Sequence, residues 1–218
     1  MKKRYLVILV ILLLFTVNGF IFAGTYSYQV TGEEEQWELI YDIEETEHNK
    51  VIEGTDRGRK TYLELSLENL NTEKHILDIP EEDTFLEMIK ENGEIIISGK
   101  MNGEEVEKKH DIGDELWLQN FSFSLQKFVL SDEDRIDFVG VSTDDLSTHE
   151  MFATREGVET VSIGEEEYEA YKVRVRLRGF LRFFWDNHYW FRKADGLFIK
   201  QIGEMGEDEE EAVVELIQ

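Results

Sequence analysis

Residues 168–205 have the sequence YEAYKVRVRLRGFLRFFWDNHYWFRKADGLFIKQIGEM, the densest aromatic and β-branched segment of the chain. From Tyr171 to Arg178, apolar residues alternate with basic ones. This period of two is typical of a strand with one buried and one solvated face. Asp195-Gly196 supplies a hairpin turn between two aromatic or aliphatic runs. The segment therefore predicts three consecutive antiparallel strands.

The same alternation continues toward both ends of the chain. Residues 26–30 and 37–43 predict a hairpin with an aromatic inner face, and Asn102-Gly103 predicts a second hairpin. Further strands are expected at residues 63–67, 135–141, 150–155 and 158–163. The chain is thus expected to be mainly β, as a single domain over residues 24–218.

Three segments depart from this pattern. Residues 80–93 combine a proline, three acidic residues, apolar residues three and four apart and a terminal glycine, which predicts a short helix. Residues 116–130 predict a short helix or a covering segment, and residues 48–59 a polar loop. Residues 212–217 predict a terminal strand or a short helix.

The N-terminus resembles an export signal. Lys2, Lys3 and Arg4 precede an unbroken apolar run, and Ala23 ends a sequence suited to cleavage. Residues 1–23 are therefore predicted to be a signal peptide. The alternative is an uncleaved anchor, because the apolar run is long enough to span a bilayer. Either outcome predicts an exported domain in the periplasm or cell envelope, with membrane contact only through this segment if it is uncleaved.

The charge of the chain is strongly acidic. The formal net charge is −25 at pH 7, and without Lys2, Lys3 and Arg4 it is −28. Such a surface repels phosphate backbones and anionic headgroups, so nucleic acid is not expected as a partner. A basic protein partner would be attracted. The simpler interpretation is that the charge only keeps the domain soluble.

Catalytic and metal-binding motifs are sparse. The chain has no cysteine, which excludes disulfides and thiolate chemistry. His149-Glu150 lacks the second histidine of a zinc helix, and Ser124 with Lys127 matches an acyl-transfer spacing without its companion motifs. Residues 132–137 form the best oxygen-rich cluster for calcium but lack the glycine of a binding loop. No catalytic residue, metal site or cofactor is therefore predicted.

A basic stripe and an aromatic group stand out within residues 168–205. The stripe consists of Lys172, Arg174, Arg176 and Arg178, and we expect it to pair with glutamates such as Glu38, Glu64 or Glu204 on neighbouring strands. The aromatic group consists of Phe180, Phe183, Phe184, Trp185, Tyr189, Trp190 and Phe191. It predicts either a core capped by a helix at residues 85–89 or one wall of an apolar cavity.

Four segments carry a family resemblance: SLQKFVLSDEDRIDFVGV at 124–141, ETVSI at 159–163, AYKV at 170–173, and YWF with DGL at 189–197. In this order they resemble an uncharacterised family of exported bacterial β-proteins, which is similar in fold to the periplasmic lipoprotein carriers. The resemblance implies a single strongly curved antiparallel sheet, a half-open barrel with one or two short covering helices. It also implies an apolar concave face, where similar carriers shelter acyl chains.

Together these observations predict a non-catalytic exported domain that binds an apolar or lipid-like ligand. The candidate ligand-binding residues are Trp37, Tyr41, Val173, Val175, Trp185 and Trp190. One alternative is an acidic module of the cell envelope that binds a basic protein. The other is an extracellular hydrolase with paired carboxylates, for which the sequence offers no motif.

Overall fold

This computed structural model describes residues 22–68, 71–179, 185–204 and 211–217. The strands are β1 (Phe22–Thr31), β2 (Gln36–Glu45), β3 (Asn49–Asp56), β4 (Arg59–Ser66), β5 (Thr72–Ile79), β6 (Thr84–Glu91), β7 (Glu94–Met101), β8 (Glu104–Asp111), β9 (Arg135–Val141), β10 (Thr148–Ile163), β11 (Glu166–Leu177), β12 (Asp186–Arg192), β13 (Phe198–Glu204) and β14 (Glu211–Leu216). Two short helices, α1 (Phe121–Ser124) and α2 (Gln126–Leu130), follow β8. Within the described ranges, neither helix has the length and apolar character needed to cross a bilayer.

All fourteen strands form one antiparallel sheet in the order β8-β7-β6-β5-β4-β3-β2-β1-β14-β13-β12-β11-β10-β9. Two meanders, β1 to β8 and β9 to β14, are joined where β1 pairs with β14. The edge strands β8 and β9 do not pair with each other in the described part of the chain, so the sheet is not closed. The predicted fold class is confirmed: mainly β, one curved antiparallel sheet, and a short helical cover.

The curvature of the sheet follows from the contacts of α1. Phe123 packs edge-on against Tyr41 of β2 at 4.6 Å, and Phe121 lies 5.3 Å from Phe138 of β9. In the sheet order β2 and β9 are seven spacings apart, which would separate them by roughly 33 Å in a flat sheet. The sheet must therefore wrap around α1 and bury its aromatic side chains.

The segment before α1 bridges the two halves of the sheet. The Leu118 N–H donates to Val139 of β9 at 3.0 Å, and the Val139 N–H donates to Leu116 at 2.8 Å. The Trp117 carbonyl accepts the N–H of Thr72 in β5 at 2.8 Å. Trp117 is fully buried in a second core between β5–β7 and β9. On the concave side of the sheet, this segment thus links β5 to β9 across the gap between the edge strands β8 and β9.

The predicted helix at residues 80–93 is wrong. Only Pro80–Glu82 form a 3-10 turn, and the rest is strand β6 with a hairpin turn at Asn92-Gly93, both at positive φ. Leu86 and Met88 are fully buried while Phe85 is 48% exposed. The spacing of apolar residues fits both periods, and pairing with β5 and β7 selected the strand. A core capped by a helix at residues 85–89 is therefore also excluded.

Two other expectations need correction. The predicted polar loop at residues 48–59 contains strand β3, in which Lys50, Ile52 and Gly54 are buried in alternation. The two strands predicted at 150–155 and 158–163 are one strand, β10, whose register shifts between Arg155 and Gly157. A bulge lets a long strand bend without ending.

The other predicted elements are confirmed. Residues 168–205 contain β11, β12 and β13 as three consecutive antiparallel strands, and Asp195-Gly196 lies in the β12–β13 connection. The hairpins β1–β2 and β7–β8 have the predicted partners. Residues 116–130 contain the short helices, and the predicted terminal element at 212–217 is strand β14, at Glu211–Leu216.

Candidate functional site

Strand register shows which face each predicted ligand-binding residue occupies. Trp37 opposes Val30, and Val173 opposes Tyr189. Directly opposed residues of antiparallel strands share a face, and Val30 and Tyr189 are buried in the main core. Tyr41 belongs to the same core, where its ring packs on Phe123. Trp37, Tyr41 and Val173 therefore lie on the concave face.

Val175 and Trp185 join this group, whereas Trp190 does not. Val175 is fully buried in the main core, and Trp185 packs edge-on against Phe121 at 6.3 Å. Trp190 is also buried, at 6% exposed, and contacts the main core. Strand register nevertheless places it with Lys172, whose ammonium lies 5.4 Å from the indole ring, on the convex face opposite Tyr189. The sheet thus brings five of the six residues to one face and places the sixth on the other. Their role in binding stays a prediction.

Most of the concave volume is occupied by protein. Helices α1 and α2 together form what we call the helical segment, residues 121–130. Its Phe123 and Phe128 are 3% and 2% exposed, and Leu125 between them is fully buried. Tyr28 of β1 is fully buried in the same core, and its hydroxyl donates to the Phe198 carbonyl at 3.0 Å. The helical segment therefore fills the middle of the half-barrel, and open space is left toward the ends.

One such space is a cleft of about 260 Å³, which we call the Lys50 cleft. It lies between the start of β1, the β2–β3 hairpin, the helical segment and the β12–β13 connection. Half of its lining residues are aromatic or aliphatic, and the rest are polar, charged or glycine. The lining residues are Phe22, Tyr26, Ile43, Glu45, Lys50, Ser122, Phe123, Gln126, Asp195, Gly196, Leu197 and Phe198.

Lys50 is the buried charge of this cleft. It opposes Glu45 in β2 and Leu65 in β4, and its side chain is 9% exposed. The ammonium donates to the Gln126 side-chain oxygen, and the nearest Glu45 carboxylate oxygen lies 3.8 Å away. Burial lowers the pKa of Lys50, and Glu45 partly opposes that shift. A cation is thus held beside an apolar wall.

A second carboxylate of the lining, Asp195, is half-exposed and already paired. Its carboxylate accepts hydrogen bonds from the Arg192 guanidinium at 2.9 Å and from the Leu197 N–H at 3.1 Å. The Arg192 guanidinium holds the pKa of Asp195 below its usual value. Gln126 also donates to the Asp195 carbonyl at 3.1 Å, so its amide links Lys50 to the β12–β13 connection. Asp195 therefore does not compete for Lys50.

The basic stripe pairs across strands, as predicted, but not with the predicted glutamates. Arg174 binds Asp186 of β12 with hydrogen bonds of 2.8 and 2.9 Å, and Lys172 lies 3.7 Å from Glu156. Arg178 lies 3.1 Å from Glu150. The partners come from β10 and β12 because these strands flank β11 in the sheet.

The weaker chemical motifs take structural roles. Ser124 is fully buried, and the Lys127 ammonium donates to the carbonyls of Leu67 and Glu68. His149-Glu150 lies in strand β10 rather than on a helix. In the calcium candidate, Asp134 and Asp137 pair with Arg155 and Arg135, respectively. Over the described ranges, no three potential metal ligands come together.

Paired carboxylates of a hydrolase would need one carboxyl group with a raised pKa. Burial raises the pKa of Asp56 in β3, and the cations that oppose the shift are Arg57 and Arg59. The side chains that act on Asp56 are thus the Arg57 and Arg59 guanidiniums and the Trp37 indole, which stabilise its ionised form, and not a second carboxylate. This differs from the pairing that acid–base catalysis by two carboxylates requires.

Sequence analysis missed Lys50 and Gln126. Lys50 fell in the predicted polar loop, although its alternation with Ile52 and Gly54 would have indicated a buried face. Gln126 lies in a helical segment whose orientation is set only by contacts with distant strands. No local signal could have brought these two residues together, since 76 positions separate them in the chain.

Comparison with known proteins supports the fold. No protein-family model and no curated protein matches the chain. Among solved structures, a β-barrel-like protein of DUF1849 from Brucella abortus aligns with a TM-score of 0.59 at 7% identity, covering 92% of this chain and 98% of that one. The predicted resemblance to an uncharacterised β-protein is thus confirmed for the fold.

Two further structures match more loosely. The hypothetical lipoprotein YmcC from Escherichia coli aligns with a TM-score of 0.37 at 12% identity over 88% of this chain and 83% of that one. A LolA superfamily protein from Nitrosomonas europaea aligns with a TM-score of 0.26 at 9% identity over 90% and 84%. These two similarities are too distant to indicate a function.

Proposed function

We propose that this protein is a non-catalytic domain of the cell envelope that holds an apolar or lipid-like ligand in the Lys50 cleft. The observation that carries the proposal is the cleft itself, about 260 Å³, with aromatic and aliphatic side chains forming half of its lining and a buried lysine among the polar half. Ligand pockets usually measure roughly 300–1,000 Å³, so this cleft suits a single chain rather than a bulky ligand. Each buried CH₂ group would contribute about 0.8 kcal/mol.

The predicted concave-face residues support the cleft from behind. Tyr41 packs against Phe123, which is a lining residue, and Tyr28 packs against Phe198, another lining residue, at 5.0 Å. These contacts fix the orientation of both lining rings. The proposal therefore places the ligand at the cleft and gives the deeper residues a supporting role.

Location in the envelope rests on the N-terminal segment. Residues 1–23 have the composition of an export signal, and this part of the proposal requires that they direct secretion. Phe22 is the first lining residue of the cleft and pairs with Glu45 in β2. Cleavage after Ala23 would remove Phe22 and widen the entrance, whereas an uncleaved anchor would hold the entrance close to the membrane.

Filling the cleft tests the proposal. Ser122 lines the cleft and is 9% exposed, so Ser122→Trp should occupy the ligand volume. The exported protein is titrated with lauric acid and with dodecanol, and binding is measured by calorimetry and by the rise in melting temperature. We expect binding by the wild type and its loss in Ser122→Trp.

The matched control is Ser162→Trp, which adds the same side chain at an exposed position of β10. It should bind both ligands as the wild type does. Failure of the wild type to bind either ligand at saturating concentration would overturn the proposal. So would unchanged binding by a folded Ser122→Trp variant.

A further inference from the structure

The ammonium of Lys50 has unused hydrogen-bonding capacity. A lysine carries three donors, and among the described residues its one acceptor within hydrogen-bond distance is the Gln126 side-chain oxygen. The Glu45 carboxylate at 3.8 Å is too far for a hydrogen bond. A buried cation with unfilled donors is costly unless an acceptor reaches it. The remaining donors of Lys50 are therefore available to water or to the acceptor atoms of a ligand in the cleft.

The neighbouring charges leave room for an anion. Asp195 is paired with Arg192, and the side chains of Glu45 and Asp195 are 32% and 49% exposed, against 9% for Lys50. The most buried charge of the lining is thus positive. The net charge of −25 repels anions at long range. Anion binding must consequently arise from short contacts inside the cleft.

The apolar part of the lining, which we call the apolar wall, is formed by Ile43, Phe123, Leu197 and Phe198. Ile43 and Phe123 are each 3% exposed, and Phe198 is 2% exposed. A ligand that satisfies both the Lys50 ammonium and the apolar wall needs a hydrocarbon chain with an oxyanion at one end. Hydrogen bonds from a lysine to a carboxylate or phosphate are about twice as strong as neutral ones.

We propose that Lys50 binds the anionic end of a single-chain amphiphile, either a carboxylate or a phosphate, while its chain packs on the apolar wall. The proposal rests on the ligand-binding function proposed above and specifies the ligand class. Gln126 positions Lys50, because its amide holds the ammonium on one side and the Asp195 carbonyl on the other. A neutral chain of the same length lacks the group that Lys50 recognises.

The test compares three ligands of one chain length: lauric acid, dodecyl phosphate and dodecanol. Calorimetry on the exported protein should show that one or both anions bind about tenfold more tightly than dodecanol. The Lys50→Met variant keeps most of the unbranched side chain and removes the charge. We expect it to lose about tenfold in anion affinity and to bind dodecanol at least as well as the wild type.

Two further variants control for folding and for general charge. Lys50→Arg keeps the cation and should retain the preference for anions. Lys60→Met removes an exposed lysine of β4 and should leave all three affinities unchanged.

Equal affinity of the wild type for the anions and for dodecanol would overturn the inference while leaving the proposed function standing. An unchanged anion preference in folded Lys50→Met would overturn it as well. Failure of all three ligands to bind would instead overturn the proposed function. Selectivity for lauric acid over dodecyl phosphate, or the reverse, identifies which oxyanion the cleft accepts.

Discussion

At the scale of single residues, the concave face buries a titratable group that the apolar core does not satisfy. His75 of β5 is 5% exposed and opposes Leu63 and Met88, both in the core. Its Nδ1 atom has no hydrogen-bond partner among the described residues. Burial, with a smaller contribution from the Arg59 charge, lowers the pKa of His75 to about 4. The folded protein therefore holds His75 neutral.

This burial predicts a loss of stability in acid. The unfolded chain binds a proton at His75 near pH 6.5, whereas the folded chain binds it only near pH 4. Stability from this residue is complete above pH 6.5 and falls by roughly 3 kcal/mol as the pH drops through that window. In His75→Leu, urea unfolding at pH 7 and pH 4 should show a smaller loss than in the wild type.

The control is His48→Leu, since His48 is exposed at the β2–β3 connection. It should lose as much stability between the two pH values as the wild type. If the loss in His75→Leu equals that of the wild type, His75 is not the neutral buried group that the structure indicates.

At the scale of elements, hairpins and their glycines decide where the strands run. Gly99 in β7 opposes Leu86 and has φ of +135°. A Cβ atom at this position would lie 2.1 Å from the Phe85 carbonyl oxygen, which belongs to the backbone of β6. Gly58 in the β3–β4 turn also has positive φ, but a Cβ there would meet no atom within 4 Å.

Alanine substitutions at these two glycines separate the cost of a positive φ from the cost of a backbone clash. Gly58→Ala should cost about 1 kcal/mol, from the unfavourable φ alone. Gly99→Ala adds a backbone clash that no side-chain movement relieves, and we expect a cost of at least about 3 kcal/mol. Urea denaturation of both variants measures the difference. Equal costs would show that β6 and β7 can separate without penalty.

The helical segment should contribute more to stability than its length suggests. Phe128 in α2 is 2% exposed within the main core. Phe128→Ala should therefore cost roughly 3–5 kcal/mol in the free energy of unfolding. Phe85→Ala removes the same ring from a position that is 48% exposed, and it should cost far less. Similar costs would mean that the helical segment is not part of the cooperative core.

At the scale of the whole molecule, the fourteen-strand sheet remains open because the edge strands β8 and β9, over the residues that the structure describes, contact other segments of the chain and do not pair with each other. On the inner side, residues 116–119 bond to β9 and β5. At the β8 edge, Lys108 donates to the Asp145 carbonyl at 2.5 Å, and the His110 ring lies 2.8 Å from the Leu146 carbonyl. Strand β8 itself is mostly exposed and charged, which disfavours pairing with another chain.

The overall charge predicts how salt affects stability. A net charge of −25 repels itself in the compact state, while exposed ion pairs contribute little. Raising NaCl from about 10 to about 300 mM should therefore raise the urea midpoint, because screening relieves more repulsion than attraction. The double variant Glu165→Lys/Glu167→Lys, at exposed positions of the β10–β11 turn and the start of β11, should show a smaller rise. A midpoint that falls with salt in the wild type would contradict this prediction.

Much of the fold could be predicted from local pattern. Alternation from Tyr171 to Arg178 and the turn residues Asn102-Gly103 specified strands and hairpins, since side-chain period and positive φ are local properties. The strand at residues 84–91 could not be told from a helix, because its apolar spacing fits both periods. Only pairing with β5 and β7 decided it.

By itself the sequence predicted a mainly β, acidic domain, and with the family resemblance a concave apolar face lined by Trp37, Tyr41, Val173, Val175, Trp185 and Trp190. Tertiary structure alone decided that the helical segment fills the centre of that face, that Trp190 lies on the convex side, and that Lys50 meets Gln126 in a cleft. The physical reason is that periodicity specifies which residues are buried. What they are buried against depends on contacts between residues far apart in the chain, which local pattern does not encode.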